Sequence, residues 1–393
     1  MQVLFIANKL NMAGAGSNVS LDTIARGLSS RGHQVDILTT NVDMKNVLPD
    51  SHPYSVKSLR STTFEDILKE IRNEISSGHQ TPDIIHVFAP IISPILGYYR
   101  MHGGQIPVVG RLNSYTMFCT NNSLLDGECH KNCSMTDKIR HDDSSTKKKI
   151  AKLPFYAYSA ASFPSKANYI DKYFAQSPSI SKYYQEAGIE SERICVISNF
   201  YNESFYQGPQ VRPTRGDWSQ FNILYVGRLE PEKNVSLLLR AACELPLNHT
   251  MHIVGDGSEY KKIQNMVSEL NVQDKIALHG WVDHDKLPAY YSNSDIYVHP
   301  GQWPEPSGRA VLEALQYDCP IVASDIGGPQ WIKGDAGSTF KSNDCSDLTE
   351  KILCLSQDKV KYQEKKEKCS NRLQDFSPKT VMDRIEQEYR SLT

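Results

Sequence analysis

The chain holds 393 residues, 39% hydrophobic and 22% charged, with a formal net charge of −2. That composition fits a folded globular protein, and the length fits two domains. A balance this near neutral excludes a polyanion-binding surface over the whole molecule, so nucleic acid is not expected as a partner.

The first residues, MQVLFIANKLN, carry a short apolar run with no basic stretch before it and no small-residue cleavage site after it. They read as a buried first strand rather than a leader. No stretch approaches the ~20 apolar residues of a membrane-spanning helix. The nine cysteines are an odd number spread over a long chain, which argues against a secreted disulfide framework. A cytoplasmic protein is expected.

Short apolar runs then alternate with helix-like stretches. VLFIA, from Val3 to Ala7, reads as a strand, and SNVSLDTIARGLSSRG as an amphipathic helix with Val19, Leu21, Ile24 and Leu28 inward. QVDILTT, DIIHVF and IPVVGRL read as strands and FEDILKEIRNEI as a helix. From Phe200 to Gln220 the chain turns polar and rich in Gly and Pro, the pattern of a linker. The alternation restarts with FNILYVGR, VSLLLRAACEL, HTMHIVG, EYKKIQNMVSEL, KIALHG, DIYVHP, AVLEALQY and PIVAS. It ends in a charged helical tail where Val381, Ile385 and Tyr389 form one apolar stripe. The pattern predicts an α/β chain of two doubly wound, Rossmann-like units facing a cleft, with ligands bound at the C-terminal strand ends.

Two stretches combine residue types suited to chemistry. GRLEPEKN, Gly227 to Asn234, follows a predicted strand and offers Arg228 and Lys233, a planar fork and a point charge that both suit phosphate oxygens. GQWPEPSGRAVLEALQYDCPIVASDIGGPQ, Gly301 to Gln330, sets Glu305 and Glu313 eight positions apart around a helix start. Ser307 is the expected N-cap and Gly308 an early helical residue, so backbone N–H groups there would form an anion site. Two cations and a helix start can hold a diphosphate, and two carboxylates can hold hydroxyls. The implied ligand is a nucleotide sugar.

GRLEPEKN and EPSGRAVLEA resemble the two donor-site elements of the family 4 retaining glycosyltransferases, which have the two-domain GT-B fold. SRGHQV, VISNFYNESF, HIVGDGSEY and IGGPQWIKGDAG follow the same family in order and spacing. The resemblance implies an acceptor-binding domain, 1–205, completed by a helix at 377–393, and a donor-binding domain at 206–376. It implies hexosyl transfer with retention from a nucleotide-diphosphate sugar, a UDP-sugar favoured, to a glycan, lipid-linked or small-molecule acceptor, as in polysaccharide biosynthesis. Arg228 and Lys233 would stabilise the leaving diphosphate, Glu305 would orient the sugar, and Glu313 would hold the ribose. Further donor contacts are implied at Gly14, Ala15, Gly16, Gly255, Trp281, Val282, Ser307, Gly308 and Arg309. No divalent metal or other cofactor is expected, because fixed cations take its place.

The sequence departs from the family in three places. Ala15-Gly16 stands where the family has Gly-Gly, and Ser307 replaces a common Phe. Asn113 and Ser114 stand where His-Asp is usual; Asn113 is carried over as a catalytic-site residue, able to hydrogen-bond a sugar but not to act as a base. That substitution motivates the alternative of a nucleotide-sugar-binding or glycan-binding protein without turnover.

Other signals are weaker. GAGSN fails as a dinucleotide fingerprint because Val19 stands where the last Gly is needed. Asp283-His284-Asp285 has the form of a metal-binding Asp-x-Asp but reads more simply as a helix cap. Cys119, Cys129, His130 and Cys133 have no common zinc spacing. Residues 147–169 begin with lysines and run into aromatics: a buried helix with a solvated basic end, or a patch for peripheral contact with anionic lipid.

Overall fold

The computed structural model describes residues 1–7, 16–39, 52–58, 73, 81–88, 99–100, 103–115, 117, 119, 124, 134–140, 142, 145–153, 156, 169–205 and 219–393. The chain divides into two units, 1–198 with 381–393, and 199–380. The division falls a few residues from the boundaries expected at 205/206 and 376/377.

Among the described residues, the first unit holds a parallel sheet of seven strands in the order β3-β2-β1-β4-β5-β6-β7. These are β1 (Gln2–Ala7), β2 (Gln34–Thr39), β3 (Ser55–Ser58), β4 (Ile84–Val87), β5 (Val108–Leu112), β6 (Lys172–Ala175) and β7 (Ile194–Val196). Every residue of β4 and β5 is buried, as expected of central strands covered on both faces. Among the described helices are α1 (Gly16–Ser30), α2 (Met135–Arg140), α3 (Thr146–Ala151) and α4 (Pro178–Glu186). The helix expected at FEDILKEIRNEI lies outside the described residues apart from Asn73, which is helical.

The second unit is a parallel sheet of six strands in the order β10-β9-β8-β11-β12-β13. Its strands are β8 (Phe221–Val226), β9 (His249–Val254), β10 (Ile276–Gly280), β11 (Ile296–His299), β12 (Ile321–Ser324) and β13 (Gly337–Phe340). Its helices are α5 (Val235–Glu244), α6 (Tyr260–Glu269), α7 (Leu287–Asn293), α8 (Arg309–Gln316), α9 (Gly327–Lys333), α10 (Cys345–Gln357) and α11 (Lys359–Gln374). One apolar cluster packs α5, α6 and α10 on one side, around Leu238, Ile263 and Ile352. A second, around Leu312, Leu315 and Ile332, packs α7, α8 and α9.

The last helix, α12 (Pro378–Arg390), returns to the first unit. Val381, Met382, Ile385 and Tyr389 are buried. Met382 lies so close to α1 that a Cβ at Gly27 would sit 2.9 Å from its sulfur. Arg31 meets Asp383 at 2.6 Å, His33 meets Glu386 at 3.1 Å, and the Tyr389 hydroxyl lies 2.5 Å from His86 Nδ1 on β4.

The reading of residues 147–169 as a buried helix with a solvated basic end falls mostly on residues outside those described. The described part is the short, exposed α3 and, after a segment that is mostly not described, the strand β6. Among the described residues no helix is long and apolar enough to cross a membrane.

Candidate functional site

The second sheet winds outward in both directions from the pair β8 and β11, so the loops leaving their C-terminal ends part and open a crevice. The loop after β8 runs through Gly227 and Arg228 into a 3-10 turn, Pro231–Lys233, and enters α5 through Asn234 at φ +51°. Asn tolerates that left-handed backbone better than most residues. The loop after β11 carries Glu305 and ends at α8. The two loops are stitched together: Gln302 N donates to Glu232 O at 3.0 Å and Gln302 Nε2 to Pro231 O at 2.8 Å.

This stitching brings Lys233 and Glu305 together, 72 residues apart in sequence. Lys233 Nζ donates to Glu305 Oε2 at 2.5 Å, and His299 Nε2 lies 3.2 Å from the same oxygen. Lys233 is buried and stands 5.9 Å from the centre of the Trp303 ring. Burial opposes ionisation of Glu305, but Lys233 and then His299 outweigh it and hold the carboxyl at about 2. Glu305 is therefore a fixed anion at neutral pH. Arg228 is mostly exposed and pairs with Glu232 at 3.0 Å. His299 is absent from the sequence-based set; its position before a proline at a strand end was the available signal.

The Gly-Gly-Pro turn places the Glu305 main chain. At Gly327, φ +80°, a Cβ would lie 2.6 Å from Glu305 N, and at Gly328 one would lie 2.7 Å from Pro306 O. The glycines let the start of α9 approach to backbone distance, where Gly328 N donates to Glu305 O at 2.7 Å. Gly255 has a similar steric role: at φ +141°, a Cβ there would lie 1.8 Å from Gly227 O. Its N–H donates to Gly280 O at 2.8 Å, tying the ends of β9 and β10 beside the β8 loop.

The helix start differs from expectation. Gly308, extended at φ −165°, is the N-cap of α8, and Arg309 is the first helical residue. Ser307 is buried one position earlier, and its hydroxyl accepts from Asn199 Nδ2 at 3.3 Å instead of capping the helix. Glu313 lies on the buried side of α8. Its Oε2 accepts from the Tyr291 hydroxyl at 2.8 Å and its Oε1 lies 3.2 Å from His284 Nε2. Burial lowers the pKa of Arg309, and the charge of Glu313 partly offsets this. Trp281 and Val282 follow β10, with Trp281 74% exposed. Asp283 stands at the cap position of a 3-10 turn, but its carboxylate bonds Lys286 at 2.9 Å rather than the turn's backbone.

Of the residues expected in the first unit, Gly14 and Ala15 lie outside the described residues, and Gly16 opens α1. Asn113 follows β5 directly and is partly exposed. Cys119 is a buried free thiol, whereas Cys129, His130 and Cys133 lie outside the described residues. Among the described residues no three His, Cys, Asp or Glu side chains are grouped as metal ligands.

The chain is similar to known sugar transferases. The profile of the family described as Glycosyl transferases group 1 matches residues 216–375, and that of Glycosyltransferase Family 4 matches residues 14–205. A protein of the cps region of Klebsiella pneumoniae is 26% identical over 192 residues, 47% of this chain and 51% of that one. The lipopolysaccharide 1,6-galactosyltransferase of Escherichia coli is 29% identical over 200 residues, 47% of this chain and 52% of that one. The chain thus spans about half the length of these curated relatives, and less of some others. The crystal structure of Anabaena HepE in complex with UDP superposes over 100% of both chains with a TM-score of 0.74 at 18% identity, a likeness of fold.

Proposed function

For a chain that belongs to the group 1, family 4 glycosyltransferases and has their GT-B fold, we propose retaining transfer of a sugar from a UDP-sugar to a glycan or lipid-linked acceptor. The observation that carries this reading is the cluster of Lys233, Glu305 and His299 where the second sheet reverses its winding. A diphosphate there would meet Arg228 and one of the three donors of Lys233, fixed cations facing the charge that grows on the leaving group. No divalent ion is then required.

Glu305 is held at about 2, so it neither gives nor takes a proton at neutral pH. Its role in this reading is to accept hydrogen bonds from hydroxyls of the donor sugar and fix their direction. Glu313 would hold the ribose, and Asn113 would hydrogen-bond a sugar. The acceptor proton passes to the departing phosphate, so no separate protein nucleophile is assigned. The exposed Lys147, Lys148 and Ile150 of α3 support peripheral contact with an anionic membrane at the cytoplasmic face.

Donor consumption with water as acceptor tests the reading. A panel of UDP-, ADP- and GDP-sugars should show slow release of a nucleoside diphosphate, unchanged by excess EDTA. Lys233→Ala and Arg228→Ala should each lower the rate by ~10²-fold or more. Binding without consumption of any donor would favour the turnover-free alternative. Loss with EDTA and rescue by Mn²⁺ would move the chemistry to a metal site.

A further inference from the structure

Glu313 is held from two sides by groups far from it in sequence. The Tyr291 hydroxyl, on α7, donates to Oε2 at 2.8 Å, and His284 Nε2, on the preceding 3-10 turn, lies 3.2 Å from Oε1. A carboxylate only accepts, so the His284 proton facing it is on Nε2. Both donors are fixed by aromatic packing. Tyr291 is fully buried and stacks on Tyr317, centroids 6.0 Å apart, while His284 lies over Phe205 at 4.5 Å. Phe205 is itself tied to the end of α8, since the Tyr317 hydroxyl donates to its carbonyl at 2.8 Å.

We propose that Tyr291 and His284 are positioning residues that give this chain its preference for ribonucleotides over deoxyribonucleotides, by fixing the plane of the Glu313 carboxylate. The proposal rests on the reading that Glu313 meets the donor ribose. A carboxylate has about four lone-pair sites. Tyr291 and His284 occupy one on each oxygen, which leaves one on each oxygen for a vicinal diol. Without its two anchors the carboxylate turns freely about its last torsion, a broad two-fold well, and the paired acceptors are lost. The His284 side chain is 55% exposed and that of Glu313 9%, so the carboxylate lies beneath a flank that faces solvent at His284.

Calorimetric titration of the full chain separates the two layers of this argument. UDP, ADP and GDP are compared with their 2′-deoxy analogues for wild type, Tyr291→Phe, His284→Phe and Glu313→Gln. Both Phe variants keep the ring stacks, and the His284 site is exposed enough to tolerate the change. Wild type should prefer the ribonucleotide by ~10-fold, the worth of a hydrogen bond to a charged group. In all three variants that preference should collapse, through weaker binding of the ribonucleotide, with affinity for the deoxy analogue nearly unchanged. A wild-type preference retained in full by Tyr291→Phe and His284→Phe, but lost in Glu313→Gln, would overturn the clamp and leave the ribose assignment standing. No preference in wild type, or no binding of any of the three diphosphates, would overturn the ribose assignment and the clamp with it.

Discussion

In the first sheet two large buried polar side chains, His86 and Arg111, lie within the layer, under a returning helix; in the second a charged cluster sits at and beyond the C-terminal strand ends. His86 on β4 is fully buried against Phe5, Phe88 and Phe174 and faces the Tyr389 hydroxyl of α12. Arg111 on β5 is buried as well, and its Nη2 donates to Ser198 O at 3.2 Å. In the second sheet Lys233 and Glu305, in the loops where the winding reverses, meet His299 at the end of β11. Both sheets share the 3-2-1-4-5-6 core order, the first adding β7 at its edge. The same winding therefore supports two investments of buried polarity: one docks a distant helix, the other builds a charged site.

The largest effect should come from removing the docked helix. Deletion after Ser377 takes away four buried side chains, each contributing ~1.5–3 kcal/mol, a sum comparable to the whole stability of a domain. Hydrogen exchange should show β1 and β4 losing protection while β8 and β11 keep theirs. Unchanged protection of β1 and β4 would break the comparison, because the helix would then not support the first sheet.

Acid should separate the two units by a smaller effect. Burial, and then the charge of Arg111, hold His86 well below its ordinary 6.5, so its proton binds only on unfolding and the first unit loses stability as pH falls below about 6.5. Glu305 is depressed from 4.5 to about 2, so its contribution, on the order of 3 kcal/mol, is present above 4.5 and lost as pH falls toward 2. Amide protection followed from pH 7 to 2 should fall first in β4 and later in β11. His86→Gln should flatten the first change and Glu305→Gln the second. Identical pH profiles in wild type and both variants would remove these groups from the account.

Much of this arrangement is legible in the sequence, for reasons visible strand by strand. The central strands β4, β5, β8, β11 and β12 are buried on both faces and so appear as short apolar runs. SVKS, ICV and GSTF escape notice because β3, β7 and β13 are edge strands, short and only partly buried. KYFA is hidden at the end of a long aromatic-rich stretch. In the site, Lys233, Glu305 and Glu313 stand in local patterns that can be read directly. His299, Tyr291 and His284 cannot be read this way, since their roles arise from contacts across folded loops, 22 and 29 residues apart for the two partners of Glu313. The misplaced cap has a similar origin: Ser307 has the right chemistry, but the helix starts one residue later, at Gly308, and the Ser307 hydroxyl meets Asn199.

The central claim is that the two carboxylates of the second unit grip different parts of one nucleotide sugar. Its most direct test is the binding of UDP, which lacks the sugar, to wild type, Glu305→Gln and Glu313→Gln, measured by calorimetry beside steady-state kinetics with the UDP-sugar. Glu305→Gln should bind UDP nearly as wild type does and lose turnover, because only orientation of the reacting sugar is gone. Glu313→Gln should bind UDP ~10-fold more weakly and show its defect mainly in KM, as the loss of uniform binding does. Equal weakening of UDP binding in the two variants, or the reverse order, would contradict the assignment.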